Sequence, residues 1–124
     1  MKVSDSAKLK DGIVLAREGD EVVTNVPWRA VHHSPDGYEW GYGGSGPADL
    51  ALNLVQAILE EEKFVGSTVP LFKGRCFMAT AVIYQSFKNE FIVSMPHAGG
   101  VINYEIARWW IFREVMKRNL NETK

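Results

Sequence analysis

His32-His33-Ser34-Pro35-Asp36-Gly37-Tyr38-Glu39-Trp40-Gly41-Tyr42-Gly43-Gly44-Ser45-Gly46-Pro47-Ala48-Asp49-Leu50 reads as a loop that turns directly into a helix. Gly37, Gly41, Gly43, Gly44 and Gly46 crowd together there, with Tyr38, Trp40 and Tyr42 interleaved. Glycine lets backbone approach a neighbour closely, and aromatics supply stacking faces. Pro47 suits a first helical position, where its missing N–H costs nothing. Asp49 in a first turn complements the helix dipole. Leu50, Leu54, Ala57 and Ile58 then follow at helical spacing.

Working outward, Gly12–Arg17 and Glu21–Val26 are short runs rich in Val and Ile, separated by Glu18-Gly19-Asp20. They predict a β-hairpin. Residues 1–11 are polar and predict a loose arm. His32 to Gly46 is loop, with a short strand expected at Tyr38–Trp40. Glu60-Glu61-Glu62 predicts a solvated helix end. Phe64 to Phe72, interrupted by Gly66 and Pro70, reads as a longer loop. A second helix is expected over Arg75–Lys88, a strand at Phe91–Met95, a turn at His97–Gly100 and a short strand at Val101–Ile102. Asn103 predicts the N-cap of a last helix, about Tyr104–Leu120. Strands, helix, helix, strand, helix in one chain of 124 residues predicts a single α+β domain: a small, mostly antiparallel sheet packed with about three helices.

Composition excludes several classes. A formal net charge of −1 lacks the basic excess of a nucleic-acid binder, so no nucleic-acid partner is expected. The lone Cys76 excludes an internal disulfide and a cysteine-rich metal site, and reads as a small buried residue. Met1-Lys2-Val3-Ser4-Asp5 carries no apolar run of the signal-peptide kind, and no stretch approaches the ~20 apolar residues of a membrane span. A cytoplasmic protein without a membrane partner is expected, which makes the sequon Asn121-Glu122-Thr123 a chance match.

Gly41 to Gly46 formally fits G-x-G-x-x-G, but the context fails. A dinucleotide fingerprint follows a full buried strand and needs two βαβ halves. Pro47 stands where a phosphate-binding P-loop requires Lys. What remains is a nest of backbone N–H groups suited to an anion, or a tight loop that only turns the chain into the helix, with Asp49 satisfying the free N–H groups. Asp49 would repel a nearby phosphate. On local chemistry the structural reading leads. His32, His33 and His97 lack metal-ligand spacing, and no metal is expected. Ser34 and Ser45 lack a recognisable base and orienting acid, so no catalytic residue is expected. Arg108, Arg113 and Lys117 on the last helix, with Arg75 and Lys88 bracketing the second, are candidate phosphate clamps, set against salt bridges to Glu105 and Glu114. Trp109, Phe112, Met116 and Leu120 form one apolar stripe of the last helix. Ile106, Ala107, Trp110, Ile111 and Val115 form another. One amphipathic face needs only one, so the second is expected to meet another subunit.

The pattern H-S-P-x-G-[FY]-E-W-G-Y-G-G-S-G-P-A-x-L-A-L resembles the signature of a family of small phage and bacterial domains. Tyr84-Gln85-Ser86-Phe87-Lys88, Phe91–Pro96 and Ile102–Trp109 extend the likeness over a core of residues 30–112. The chain is similar to the phage Thoeris anti-defence sponges of the first type. That resemblance implies non-catalytic sequestration of a cyclic nucleotide immune signal, a cyclic ADP-ribose isomer or a cyclic oligonucleotide, in the host cytoplasm. It also implies no cofactor, and a homo-oligomer built as a dimer or assembly of dimers. The expected ligand-binding set is His33, Trp40, Tyr42, Gly43, Gly44, Ser45, Asp49, Arg75, Lys88, Arg108 and Arg113. The competing readings are a small nucleotide-processing enzyme using His33 or His97, and an accessory protein without a small ligand.

Overall fold

A computed structural model describes residues 1–4 and 6–121. The first strand, β1 (Lys2–Val3), pairs parallel to β3 (Glu21–Thr24), and β3 pairs antiparallel to β2 (Ile13–Glu18) across the expected turn. β6 (Gly100–Ile102) closes the other edge against β2, giving the order β1-β3-β2-β6. Side chains alternate across a strand, so Ile13, Leu15 and Arg17 share one face of β2. Ile13 and Leu15 are buried in the core.

The first helix, α1 (Ser45–Glu61), is the centre of the domain. Leu50, Leu52, Leu54, Val55, Ile58 and Leu59 are all fully buried. A helix apolar on every side must be enclosed, and α1 is packed by α2 (Met78–Phe87) and the π turn Lys88–Ile92 that continues it. Each buried Leu or Ile contributes roughly 1.5–3 kcal/mol of transfer free energy. α3 (Tyr104–Lys117) packs on α2 and opens at Asn103, whose Oδ1 accepts from Ile106 N at 3.0 Å. The hairpin, the last strand, the Asn103 cap and the α+β architecture agree with expectation.

Five local expectations are corrected. Residues 1–11 are not wholly a loose arm: β1 adds to the open edge of β3, Ser4 N donates to Thr24 O at 2.8 Å, and Leu9–Asp11 form a 3-10 turn. The 64–72 segment is not all loop, because β4 (Thr68–Pro70) pairs antiparallel with β5 (Arg75–Phe77). The expected helix 75–88 therefore starts only at Met78. The expected strand at Phe91–Met95 is absent: Phe91 and Ile92 sit in the π turn, where Phe87, Phe91 and Trp110 cluster with ring centroids 4.5–5.8 Å apart. Apolar runs this short fit either period. Tyr38–Trp40 form no strand, since side-chain bonds rather than a ladder hold them. The sequon lies outside the described residues beyond Asn121.

Candidate functional site

The loop before α1 is held by two polar side chains that an apolar helix would otherwise exclude. Asp49 and Asn53, one turn apart on α1, are both buried. Asp49 accepts the backbone N–H of His32 (3.2 Å), His33 (2.9 Å) and Ser34 (2.9 Å). Asn53 Oδ1 accepts from Arg29 N and Ala30 N, and its amide donates to Ala30 O and Asp49 O. The carboxylate thus serves the incoming loop rather than the helix start expected for it. Pro47 is the third helical residue, because α1 opens at Ser45 with Gly44 as its cap.

The aromatic part of the loop is anchored by Arg17, delivered by the inner face of β2. Its guanidinium makes two hydrogen bonds to Glu39 (2.7 and 3.1 Å), donates to His97 O (2.7 Å) and lies 4.4 Å from the Trp40 ring centroid. The Arg17 bond holds the Glu39 carboxyl below its usual range. Trp40 donates its indole N–H to His97 O and is 2 % exposed. It therefore offers no face to a ligand, which removes it from the expected set. Tyr38 is likewise buried, its hydroxyl donating to Pro27 O; burial pushes that phenol far above its ordinary range.

Tyr42 is different: its ring is 51 % exposed. It lies over Gly44, where an added Cβ would come within 2.5 Å of the ring, whereas a Cβ on Gly43 would meet nothing. Two open grooves flank the ring. One, about 370 Å³, is shared by Ser34, Asp36, Tyr42, Ser45 and Gly46. The other, about 410 Å³, lies among Gly41, Tyr42, Met95 and His97. At the first groove α1 begins without a side-chain cap, and the N–H groups of exposed Ser45 and buried Gly46 have no hydrogen-bond partner among the described residues. Such N–H groups favour an anion. The first groove also carries Asp20 and Glu21, which favours hydroxyl or amino groups there over phosphate.

His33 lies on the loop segment whose N–H groups Asp49 accepts. Its Nε2 hydrogen-bonds the Tyr84 hydroxyl at 2.7 Å, and the His32 ring meets it edge-on. Burial chiefly lowers the His33 pKa, assisted by His32 and Lys88 and opposed by Asp49. His33, Asp49 and Lys88 of the expected set therefore come together, and Tyr84 joins them.

The remaining cations separate clearly. Arg108 bonds Glu62 at 2.8 Å and approaches Glu105, while Arg113 approaches Glu114 and covers the Trp109 ring. The Arg108 bond, reinforced by Tyr104, holds the Glu62 carboxyl below its usual range. Both arginines are thus engaged by acids on or beside α3, as the salt-bridge alternative held. Arg75 and Lys88 have no acidic partner among the described residues. Arg75 is fixed by Thr68 and borders a separate groove of about 230 Å³ with Arg29 and Gln56. No group of His, Cys, Asp and Glu among the described residues is arranged to hold a metal.

Sequence reasoning missed Arg17, Asn53 and Tyr84. Asn53 carries a signal, being a polar residue one turn after Asp49 within an apolar helix. Tyr84 reads from the sequence as a helix-face residue without a partner. Arg17 carries no signal, since only the strand register aims it at Trp40.

The site and fold define a small α+β domain in which a glycine-aromatic loop is locked onto a central helix whose first turn stays open. The chain belongs to a family of unknown function (DUF6166), whose model matches residues 5–112. No curated protein and no solved structure matches it. No helix among the described residues is long and apolar enough to cross a membrane.

Proposed function

We propose that the protein is a non-catalytic cytoplasmic binder of a phosphate-bearing cyclic nucleotide. Its resemblance to the Thoeris anti-defence sponges points to the same class of ligand, an immune signal held intact. The observation that carries the reading is the uncapped start of α1, bordered by the exposed Tyr42 ring. Phosphate goes to the N–H of exposed Ser45 and to Lys88. The base stacks on Tyr42, and Gly43 admits close backbone approach. Sugar hydroxyls meet Asp36 in the acidic groove. A cradle of backbone donors with a stacking face holds a nucleotide without chemistry.

The test is to mix the protein with a cyclic ADP-ribose isomer, and separately with a cyclic dinucleotide, then heat-denature it and identify what is released. Intact ligand in stoichiometric amount is expected. Lys88→Ala or Tyr42→Ala should each weaken binding about tenfold or more, given ~1.5–3 kcal/mol for a charged hydrogen bond and ~1–3 kcal/mol for a stacked base. Arg108→Ala and Arg113→Ala should bind normally. Absence of binding to both probes refutes the reading.

The His33–Tyr84 hydrogen bond favours one second reading, a small nucleotide-processing enzyme with His33 as general base. Released products in place of intact ligand, lost in His33→Gln, would select it.

A further inference from the structure

The outer face of α3 is apolar and exposed. At 100° per residue, Tyr104, Ala107, Trp110, Ile111, Glu114 and Val115 fall on one side of the helix and are buried. Ile106, Trp109, Arg113 and Met116 fall on the opposite side. Ile106, Trp109 and Met116 are 58 %, 61 % and 67 % exposed, large values for apolar side chains on a helix that already has a complete core face. Ile106, Trp109, Arg113 and Met116 are spaced three, four and three apart, the seam of two helices packed nearly side by side.

We infer that α3 pairs with α3 of a second copy, antiparallel, about a two-fold axis level with Ile111. The register follows from the residues. In an antiparallel pair, facing positions have a constant sum. Ile106 with Met116, Trp109 with Arg113, and Glu105 with Lys117 all give the same sum. An apolar side chain therefore meets an apolar one at each end of the seam. In the middle, the partner's Arg113 comes to Trp109, a ring already covered on its own helix by Arg113 at 4.8 Å. Cation–π contact strengthens when the pair is desolvated. Glu105 of one copy is level with Lys117 of the other, and the two helix dipoles oppose. A parallel pair would instead set Arg113 against Arg113 and Glu105 against Glu105. Charge thus chooses the antiparallel partner, and a two-fold axis makes the same patch serve both copies. This inference is independent of the ligand reading, since α3 contributes no residue to the proposed cradle.

The experiment uses the full chain. Light scattering at tens of micromolar should give a dimer, and Trp109→Asp should give a folded monomer whose melting temperature no longer depends on protein concentration, because the side chain is exposed in one copy and only the association is lost. Orientation is read with single cysteines under mild oxidation. Ile106→Cys and Met116→Cys should each remain uncrosslinked alone, and their mixture should form the mixed disulfide dimer. Buried Cys76 does not compete. A wild-type monomer, a dimer that survives Trp109→Asp, or self-crosslinking of Ile106→Cys alone would each overturn the inference.

Discussion

Replacing Asp49 by Asn keeps the shape of the side chain and changes only what it accepts. The carboxylate receives three backbone N–H groups, the two shortest from His33 and Ser34 at 2.9 Å on different oxygens. Asn has one acceptor oxygen. Whichever way its amide is turned, one short bond is lost and an NH2 group faces a backbone donor. A hydrogen bond to a charged group contributes ~1.5–3 kcal/mol, and an unsatisfied buried donor costs ~1–3 kcal/mol. The two overlap, so the net loss is about 3 kcal/mol, a large part of the ~5–15 kcal/mol that holds a domain together. For a domain of this size, at ~3–5 °C per kcal/mol, the melting temperature should fall by ~10–15 °C. Alanine, which removes both oxygens, should cost somewhat more, ~3–5 kcal/mol. Thermal melts followed by circular dichroism give the magnitude. Amide hydrogen exchange gives the place, because His32, His33 and Ser34 should lose protection first. An Asp49→Asn variant that melts within ~2 °C of the parent, with those amides still protected, would show that Asp49 does not hold this loop.

Three further outcomes follow from the same contacts. Gly99 has φ +95° and packs against Leu15 O of β2, so Gly99→Ala should cost ~2–4 kcal/mol through strain and overlap; Gly43→Ala, which meets nothing, should melt like the parent, and equal melts of the two variants would contradict this. Arg108→Gln should lower the melting temperature by a few degrees, less in high salt, because it removes the Glu62 partner; an effect on ligand affinity without one on stability would reverse the assignment. The third concerns pH. The folded pKa of His33 is below its unfolded value of about 6.5, so the unfolded chain binds the proton first, and its contribution to stability is complete above about pH 6.5 and declines as pH falls. Glu39 and Glu62, with lowered pKa, lose their contribution only below about pH 4.5. His33→Gln should therefore flatten the stability profile between those values and leave the more acidic fall intact, as urea melts across pH would show.

Local pattern made part of the fold legible. The hairpin at Glu18-Gly19-Asp20 combines apolar alternation with turn chemistry, and the Asn103 cap precedes an apolar stripe that can only be helical. The start of α1 was legible to within two residues. What was not legible depends on distant partners. Lys2–Val3 is too short to have a period and becomes a strand only because β3 leaves an edge open. Phe91 and Ile92 satisfy a strand pattern as well as a helical one, and the Phe87–Trp110 cluster decides between them.

The glycine-aromatic block shows how the same composition serves two purposes. From the sequence, Tyr38, Trp40 and Tyr42 are three interleaved aromatics, of which Trp40 and Tyr42 are the expected stacking faces. In the fold, Pro27 O takes the hydroxyl of Tyr38, and Arg17, from a strand more than twenty residues earlier, covers Trp40. Only Tyr42 is left free. Asp49 looks from the sequence like a dipole partner for its own helix, yet its donors come from fifteen to seventeen residues upstream. Once these internal bonds are subtracted, the parts of the block that still face solvent are His32 and His33, Pro35 and Asp36, and Gly41, Tyr42, Gly43 and Ser45 leading into α1. Substitutions at Tyr38, Glu39, Trp40, Gly46 or Asp49 will therefore report on folding whatever the protein binds. Substitutions at Tyr42, Gly43, Ser45 and Lys88 are where a loss of binding can be separated from a loss of structure, and the stripe of α3 is where a loss of assembly can be separated from both.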